Sequence, residues 1–444
     1  MNQAIRTKLS IMMFLEYVIW GAWLPLLGLY LSKYLKFEGV QIAWIFNAFA
    51  IASLTGMFFG SQLADRYFAQ ERFLSFSHLV GGLSMLGLAY TKQFWPFFGL
   101  MLLHCFFYVP TLSVTNAIAF ANLKDAQKDF GPIRVWGTIG WIAASWPFIF
   151  IPIDWAKVPS MAAAGGFVSW LGKALSTPKT GHAMELALTS TFFVSAIASL
   201  VLAAFCLTLP HTPPSKDGES KFAPLEALKL LAVPSILVLF VVTLLDSFIH
   251  YCYFFWTSPF FSAIGLPENW IAPAMSIGQI AEISTMAYLG FFLKKLGWRT
   301  TMILGILGHV VRFSIYAIGT RDTLWLVILS NVVHGFAYAF FFATVYIYVD
   351  ENFPKDIRTS AQSMFNLLIL GVGPFFGNFL WGWLGDQVTT VNATGEKVVN
   401  FSQLFAVPAA LGIISAILLA IFFHPKSNKD VAPFDSLTEP VPAT

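Results

Sequence analysis

The chain has 444 residues, of which 57% are hydrophobic and 11% charged, with 46 Phe among them and a mean hydropathy of +0.70. Soluble domains carry about 25% charged residues, so the composition excludes a soluble enzyme or a nucleic-acid binder and indicates a polytopic helical membrane protein. The net charge of +3 defines no partner, and Cys105, Cys206 and Cys252 all fall in apolar stretches without CxxC spacing, which makes them packing residues.

Apolar stretches in chain order predict twelve spans: Leu9–Leu31, Val40–Leu63, Phe73–Tyr90, Phe97–Ala121, Pro132–Pro152, Leu186–Leu209, Leu231–Phe261, Trp270–Leu293, Thr300–Ile318, Leu324–Val349, Thr359–Leu384 and Phe401–Phe423. Most reach the roughly 20 residues that a ~30 Å hydrocarbon core requires. The first is long and shows no cleavage pattern, so it reads as a span, not a signal peptide. The Pro-rich, charged run PHTPPSKDGESKFAP separates the sixth span from the seventh. The expected organisation is therefore a six-helix bundle over 1–209, a linker over 210–230, a second six-helix bundle over 231–424 and a polar tail over 425–444. Loops on the side of the termini hold sixteen of the 26 Lys and Arg, and loops on the other side hold eight. This bias places both termini in the cytoplasm. Arg134 and Arg312 fall inside spans. The long outer loop 154–185, with Trp170 and Lys173, is a candidate for lying on the membrane surface. Asn392-Ala393-Thr394 matches a glycosylation acceptor on the same side.

Polar residues inside spans mark candidate sites, because such groups turn towards neighbours or a water-filled cavity. Arg134, Thr138 and Trp141 share a helical stripe in span five, as do Asp246, His250 and Tyr253 in span seven. Gln279 and Glu282 share a face of span eight, with Glu282 near the midplane, and His334 and Tyr338 share one in span ten. Trp20 and Trp23 lie in span one. Asn47, Asn116 and Asn366 are intramembrane amides suited to interhelical hydrogen bonds. Glu16, Asp246 and Glu282 are the buried carboxyls available to carry a proton. The sequence contains no catalytic triad, metal-ligand set or P-loop, so neither catalysis nor a cofactor is expected.

Gly60-Ser61-Gln62-Leu63-Ala64-Asp65-Arg66, between spans two and three, resembles the G-x-L-a-D-r signature of the major facilitator superfamily, with a degenerate copy at Lys294–Arg299. That resemblance implies an all-α membrane fold of two pseudo-symmetric six-helix bundles around a central cavity opened alternately to each side. Gly60, Asp65 and Arg66 would form its conformational signature. A finer resemblance rests on FLEYVIWGAWL from Phe14, YVPT from Tyr108, GPIRVWGTIG from Gly131, SIGQIAE from Ser276 and HGFAY from His334. These runs are similar to the nucleoside:proton symporter family. The resemblance implies import of a nucleoside with protons across the bacterial inner membrane, by a monomer in the lipid bilayer. It implies that Arg134, Thr138, Trp141, His250, Tyr253, Gln279, Glu282, His334 and Tyr338 line the substrate cavity. The chemistry is compatible: aromatic faces can stack on a base, and Gln279 offers both donors and an acceptor. In that family an acid usually follows the span-ten aromatic; here the position is Ala339, which leaves coupling to Glu282, Asp246 or Glu16, or to a different mode of coupling. Another small polar solute, such as a sugar or sugar-peptide fragment, is the alternative cargo.

Overall fold

The computed structural model describes residues 3–56, 68–123, 126–213, 231–353 and 355–425. The signature residues Gly60, Asp65 and Arg66, most of the linker and the tail beyond residue 425 lie outside the described residues. The described part of each expected span is helical for most of its length. The first half holds α1 (Gln3–Leu29), α2 (Gly39–Thr55), α3 (Gln70–Leu88), α4 (Phe94–Asn122), α5 (Ala126–Ser145) and α6 (Gly181–Cys206). The second half begins with α7 (Pro234–Ala263) and a helical run Glu268–Ala317. It ends with α10 (Leu324–Asn352), α11 (Ala361–Gln387) and α12 (Phe401–Phe422). Among the described residues, eight helices are long and apolar enough to cross a bilayer.

The 50-residue run Glu268–Ala317 would be about 75 Å long if straight. It is not straight. Gly297 has φ 72° and ψ 173°, outside the helical region. Gly278 packs on His334, while Gly308 packs on the adjacent Val333. Two residues at the same depth against one helix must lie side by side, so the chain doubles back at Gly297. The two rods are α8 (268–296) and α9 (298–317). Glycine permits the turn because a side chain at positive φ would be strained.

Within the first half α1 packs on α5 and α6, α3 on α4 and α6, and α2 on α4. Within the second, the α8–α9 pair packs on α10 and α12, and α7 on α11 and α12. The halves meet along α2 with α11, α1 with α7, and α5 with α8. Close approach depends on small residues, as expected where helices associate in lipid by packing alone. A Cβ on Gly140 of α5 would stand 2.2 Å from the Phe14 carbonyl oxygen of α1. Polar residues tie the helices where they cross: Asn47 donates to the Phe375 carbonyl at 3.1 Å and accepts from Asn378 at 2.9 Å.

The loop 154–185 folds into a short helix, Phe167–Leu175, with Phe167 and Val168 exposed. Its Leu175 carbonyl accepts from Asn269 at 3.1 Å and from the Trp270 indole at 3.2 Å, so a loop of the first half is strapped to the start of α8. Between α11 and α12 a two-stranded hairpin pairs Thr389–Val391 with Lys397–Val399. Asn392 sits at its turn, its side-chain Oδ1 accepting from the Thr394 and Glu396 amides.

Replacing Gly140 by Ala should force α1 from α5 and destabilise the protein by about 1–3 kcal/mol, the usual cost of overpacking. A lower melting temperature in detergent is the expected reading; an unshifted one would mean that the seam yields.

Candidate functional site: a cavity between the two halves

A cavity of about 1110 Å³ lies between the halves. Its lining reaches Gly56, Phe130, Tyr346 and Gln362, all near the helix ends on the face that holds the start of α1. On the opposite face the halves are sealed. The Leu29 amide of α1 donates to Ser258 Oγ of α7 at 3.2 Å. Glu268 receives Lys33 at 2.5 Å and the Tyr34 hydroxyl at 2.5 Å. The Gly39 and Val40 amides, the free donors at the start of α2, donate to the Asp386 carboxylate at 2.8 and 3.2 Å. Asp386 thus caps a helix of the other half, where an N-terminus favours an anion. Just inside, Phe46 stacks on Phe255 with centroids 5.0 Å apart.

The first half contributes the aromatic end of the cavity. Arg134, Thr138 and Trp141 all reach the lining from α5, as their stripe requires. The Arg134 guanidinium lies over the Tyr17 ring, 4.3 Å from its centroid, a cation–π arrangement. Trp20 lies flat on Phe49 at 4.8 Å and meets Trp141 edge-on at 5.1 Å. Phe254 of α7 closes this group, 6.2 Å from Trp141. The result is a set of flat apolar walls beside one cation.

The second half contributes the polar end: Gln279 and Glu282 from α8, His250 from α7, and His334 and Tyr338 from α10. Glycine again sets the spacing. A Cβ on Gly335 would stand 2.2 Å from the Glu282 amide nitrogen, so α10 can support the α8 backbone at Glu282 only without a side chain there. Tyr338 begins a π-helical turn, Tyr338–Ala343, a local geometry frequent at functional sites. Arg134 and Glu282, opposite in charge, therefore enter one cavity from opposite halves.

One sequence expectation needs correction in position, and two of the candidate carboxyls lie off the cavity. Tyr253 does not line the cavity. It is fully buried, its ring stacks on His334 at 4.4 Å, and its hydroxyl donates to Asn331 and to the Met275 carbonyl, both at 3.1 Å. The stripe of span seven points at α10, so only His250 reaches the lining. For the same reason Asp246 is fully buried behind the wall, with His309 Nε2 3.7 Å away. Glu16 is also off the cavity. It faces α3 and α4, with Oε2 2.9 Å from His78 Nε2 and Oε1 accepting from Thr111 at 2.6 Å, while the next residue, Tyr17, faces the cavity. Glu282 is the one of the three candidate carboxyls that lines it.

Other residues emerge only in three dimensions. Trp20 lines the cavity, whereas Trp23 is buried edge-on against His104. Asn116 and Asn366 join the lining, and Asn366 also accepts from the Tyr346 hydroxyl at 2.5 Å. Arg312 hydrogen-bonds two imidazoles, those of His309 and His334. The signal was present, since His309 and Arg312 are three residues apart in an apolar span.

The chain matches the model of the nucleoside H+ symporter family over residues 1–164 and 161–428. It is 32% identical over 434 residues to the putative nucleoside transporter YegT of Escherichia coli (strain K12), covering 96% of this chain and 95% of that one. It is 28% identical over 437 residues to the xanthosine permease of the same organism, covering 96% and 97%. The crystal structure of the nucleoside transporter NupG superposes with a TM-score of 0.79 at 25% identity, over 96% of this chain and all of that one. A D-xylose–proton symporter, at 14% identity and a TM-score of 0.70, shares the fold. All of these are carriers, not enzymes, and the fold is the two-bundle major facilitator fold. Matched along nearly its whole length, this chain belongs to the nucleoside H+ symporter family.

Proposed function

We propose that this chain imports nucleosides together with protons across the bacterial inner membrane, by alternating access of its two halves, as a monomer. The observation that carries the reading is the cavity itself. Flat aromatic walls at Trp20, Trp141, Phe254 and Tyr338 converge with Arg134, Gln279 and Glu282 in a space of about 1110 Å³. A nucleoside is a flat base with a hydrogen-bonding edge and a hydroxylated sugar, and it needs both kinds of surface at once. Small-molecule sites are commonly about 300–1,000 Å³, so this cavity has room for a nucleoside and some water.

The positive loops put the face bearing the termini in the cytoplasm. The cavity is then open inward, and the seam at Lys33, Glu268, Gly39 and Asp386 is the closed outer gate. The moving bodies are 1–209 and 231–424, joined by the 210–230 linker. Glu282 is the acid that takes a proton with the substrate from outside and loses it inside. Its carboxyl can change charge within the binding site, and Arg134 opposite it responds to that charge.

Uptake of labelled uridine and adenosine into proteoliposomes, with and without an inward proton gradient, tests the function. Saturable, gradient-stimulated uptake is expected, and none for any nucleoside would sink the reading. One proton per solute sustains about tenfold accumulation per unit of pH gradient. Glu282→Gln cannot release a proton and should lose that factor; undiminished accumulation would move the coupling elsewhere. Arg134→Gln should raise the apparent KM by roughly 10- to 100-fold, the range for one lost hydrogen bond from a charged group. For the gate, Asp386→Ala removes the carboxylate that receives the Gly39 and Val40 amides of α2, a loss of about 0.5–2 kcal/mol, and should favour the outward-open state. A cysteine placed at Ser113 in the cavity should then react several-fold faster with an impermeant thiol reagent from outside. An unchanged rate would count against the seam as a gate.

A further inference from the structure

Behind the polar end of the cavity lies a cluster that substrate contact does not use. Asp246 and His250 sit one turn apart on α7, His309 and Arg312 one turn apart on α9, and His334 on α10. Asp246, His309 and Arg312 have no exposure, and His334 has 2%. At this level α11 and α12 meet α7 through Gly373, against Ser247, and Gly412, against Ile249, and these contacts bring no charge. One carboxyl, one guanidinium and three imidazoles thus share a buried compartment between three helices.

Arg312 sets the chemistry of that compartment, because a guanidinium only donates. It donates to Nδ1 of His334 and to Nδ1 of His309, the latter at 3.0 Å. Both rings accept at Nδ1, so as neutral imidazoles both carry their proton on Nε2. The Nε2 of His309 is 3.7 Å from Asp246 Oδ1, too far for a hydrogen bond. Neither oxygen of Asp246 has a hydrogen-bond partner among the described residues, and neither does His250 Nδ1. A structural ion pair would seat the carboxylate on the guanidinium. Here the guanidinium holds two imidazoles and the carboxyl is left free, in a place where an unsatisfied polar atom is costly.

We propose that Asp246 is a second proton-binding site of the carrier, occluded behind the cavity wall, reached from the cavity through His250 and sensed at the wall through Arg312 and His334. The inference rests on the nucleoside-symport reading and adds to it a site that no substrate atom touches. His250 borders the cavity and lies on the same face of α7 as Asp246. An imidazole that gains a proton from cavity water at one nitrogen releases one from the other. Asp246 passes from carboxylate to acid, and His250 ends neutral. With Asp246 ionised, the charges of Asp246 and Arg312 cancel. With Asp246 protonated, Arg312 is the only charge of the cluster and is held by His334 and by the Tyr253 ring, 4.4 Å away. A wall residue then follows proton occupancy, which couples the proton to substrate binding.

Reconstituted protein tests the site. For Asp246→Asn, uridine accumulation should fall by about tenfold per unit of pH gradient, the share of one proton. Uridine exchange at equal pH should persist, and Asp246→Glu should restore accumulation. Wild-type accumulation by Asp246→Asn would overturn the site. So would loss of exchange and accumulation together in Asp246→Asn protein that still binds uridine, because that is a structural role. His309→Gln keeps an acceptor for Arg312 but removes the imidazole, and gives an independent reading should Asp246→Asn not fold. Protons taken up per uridine, followed with an internal pH dye, should decrease in His309→Gln; an unchanged ratio would overturn the site. Absence of nucleoside uptake by the unmutated protein is a different failure, which removes the nucleoside reading and the second site with it.

Discussion

The closed seam between the halves is the constraint on which the rest of this structure depends. At its centre the Asp386 carboxylate receives the first two amides of α2. Those amides have no partner within their own helix, so the bond satisfies donors that would otherwise face a neighbouring helix. The same place admits no bulk: a Cβ on Gly39 would stand 2.1 Å from the Gly382 carbonyl, and one on Gly382 would stand 2.3 Å from that of Gly39. Two backbones in contact act as a fulcrum. With the halves joined at one end, the space between them widens towards the other, and that wedge is the cavity.

The chemistry of the wedge is divided between the halves. α1 and α5 supply flat rings and a guanidinium, while α7, α8 and α10 supply the amide, the carboxyl and the imidazoles. A polar solute lodged there touches both halves, so binding free energy is available to bias their relative position. Buried ionisable groups that do not touch the cavity are held in each half separately: Glu16 with His78 and Thr111 in the first, and Arg312 with His309 and His334 in the second. Isolated charges in such surroundings would be strongly unfavourable, which is why each has specific partners. Asp246 departs from that rule and stands out for that reason.

The fold was largely legible because hydrocarbon thickness dictates helix length, and because the Pro-rich run after Leu209 interrupts the apolar pattern once. The break at Gly297 was legible too, from the Lys and Arg around it. The cavity was partly legible. Arg134, Thr138 and Trp141 share a stripe, and the stripe faces the cavity. Asp246, His250 and Tyr253 share a stripe as well, but helical spacing tells only that residues share a face, not which neighbour the face meets. In α7 the face meets α9 and α10, so one residue of three reaches the cavity. Glu16 lies off the cavity for a related reason: one step along a helix turns a side chain through about 100°, and here the step from Glu16 to Tyr17 crosses from the bundle interior to the cavity. Phe49 and Phe254 carried no signal, because 46 Phe in one chain leave no means of singling out two.

Ala339 shows how local packing constrains where an acid can work. It is fully buried and packs with Leu289, Phe340 and Ala343, on the side of α10 away from His334 and the Arg312 cluster. An acid at this position would enter an apolar contact between α8 and α10, with Leu289 of α8 against it. This chain instead seals that contact with a methyl group. Two of its carboxyls lie on neighbouring helices: Glu282 on α8, in the cavity lining, and Asp246 on α7, buried behind it. Helix α10 supports both from outside itself, through Gly335 against Glu282 and through His334 against the Arg312 cluster.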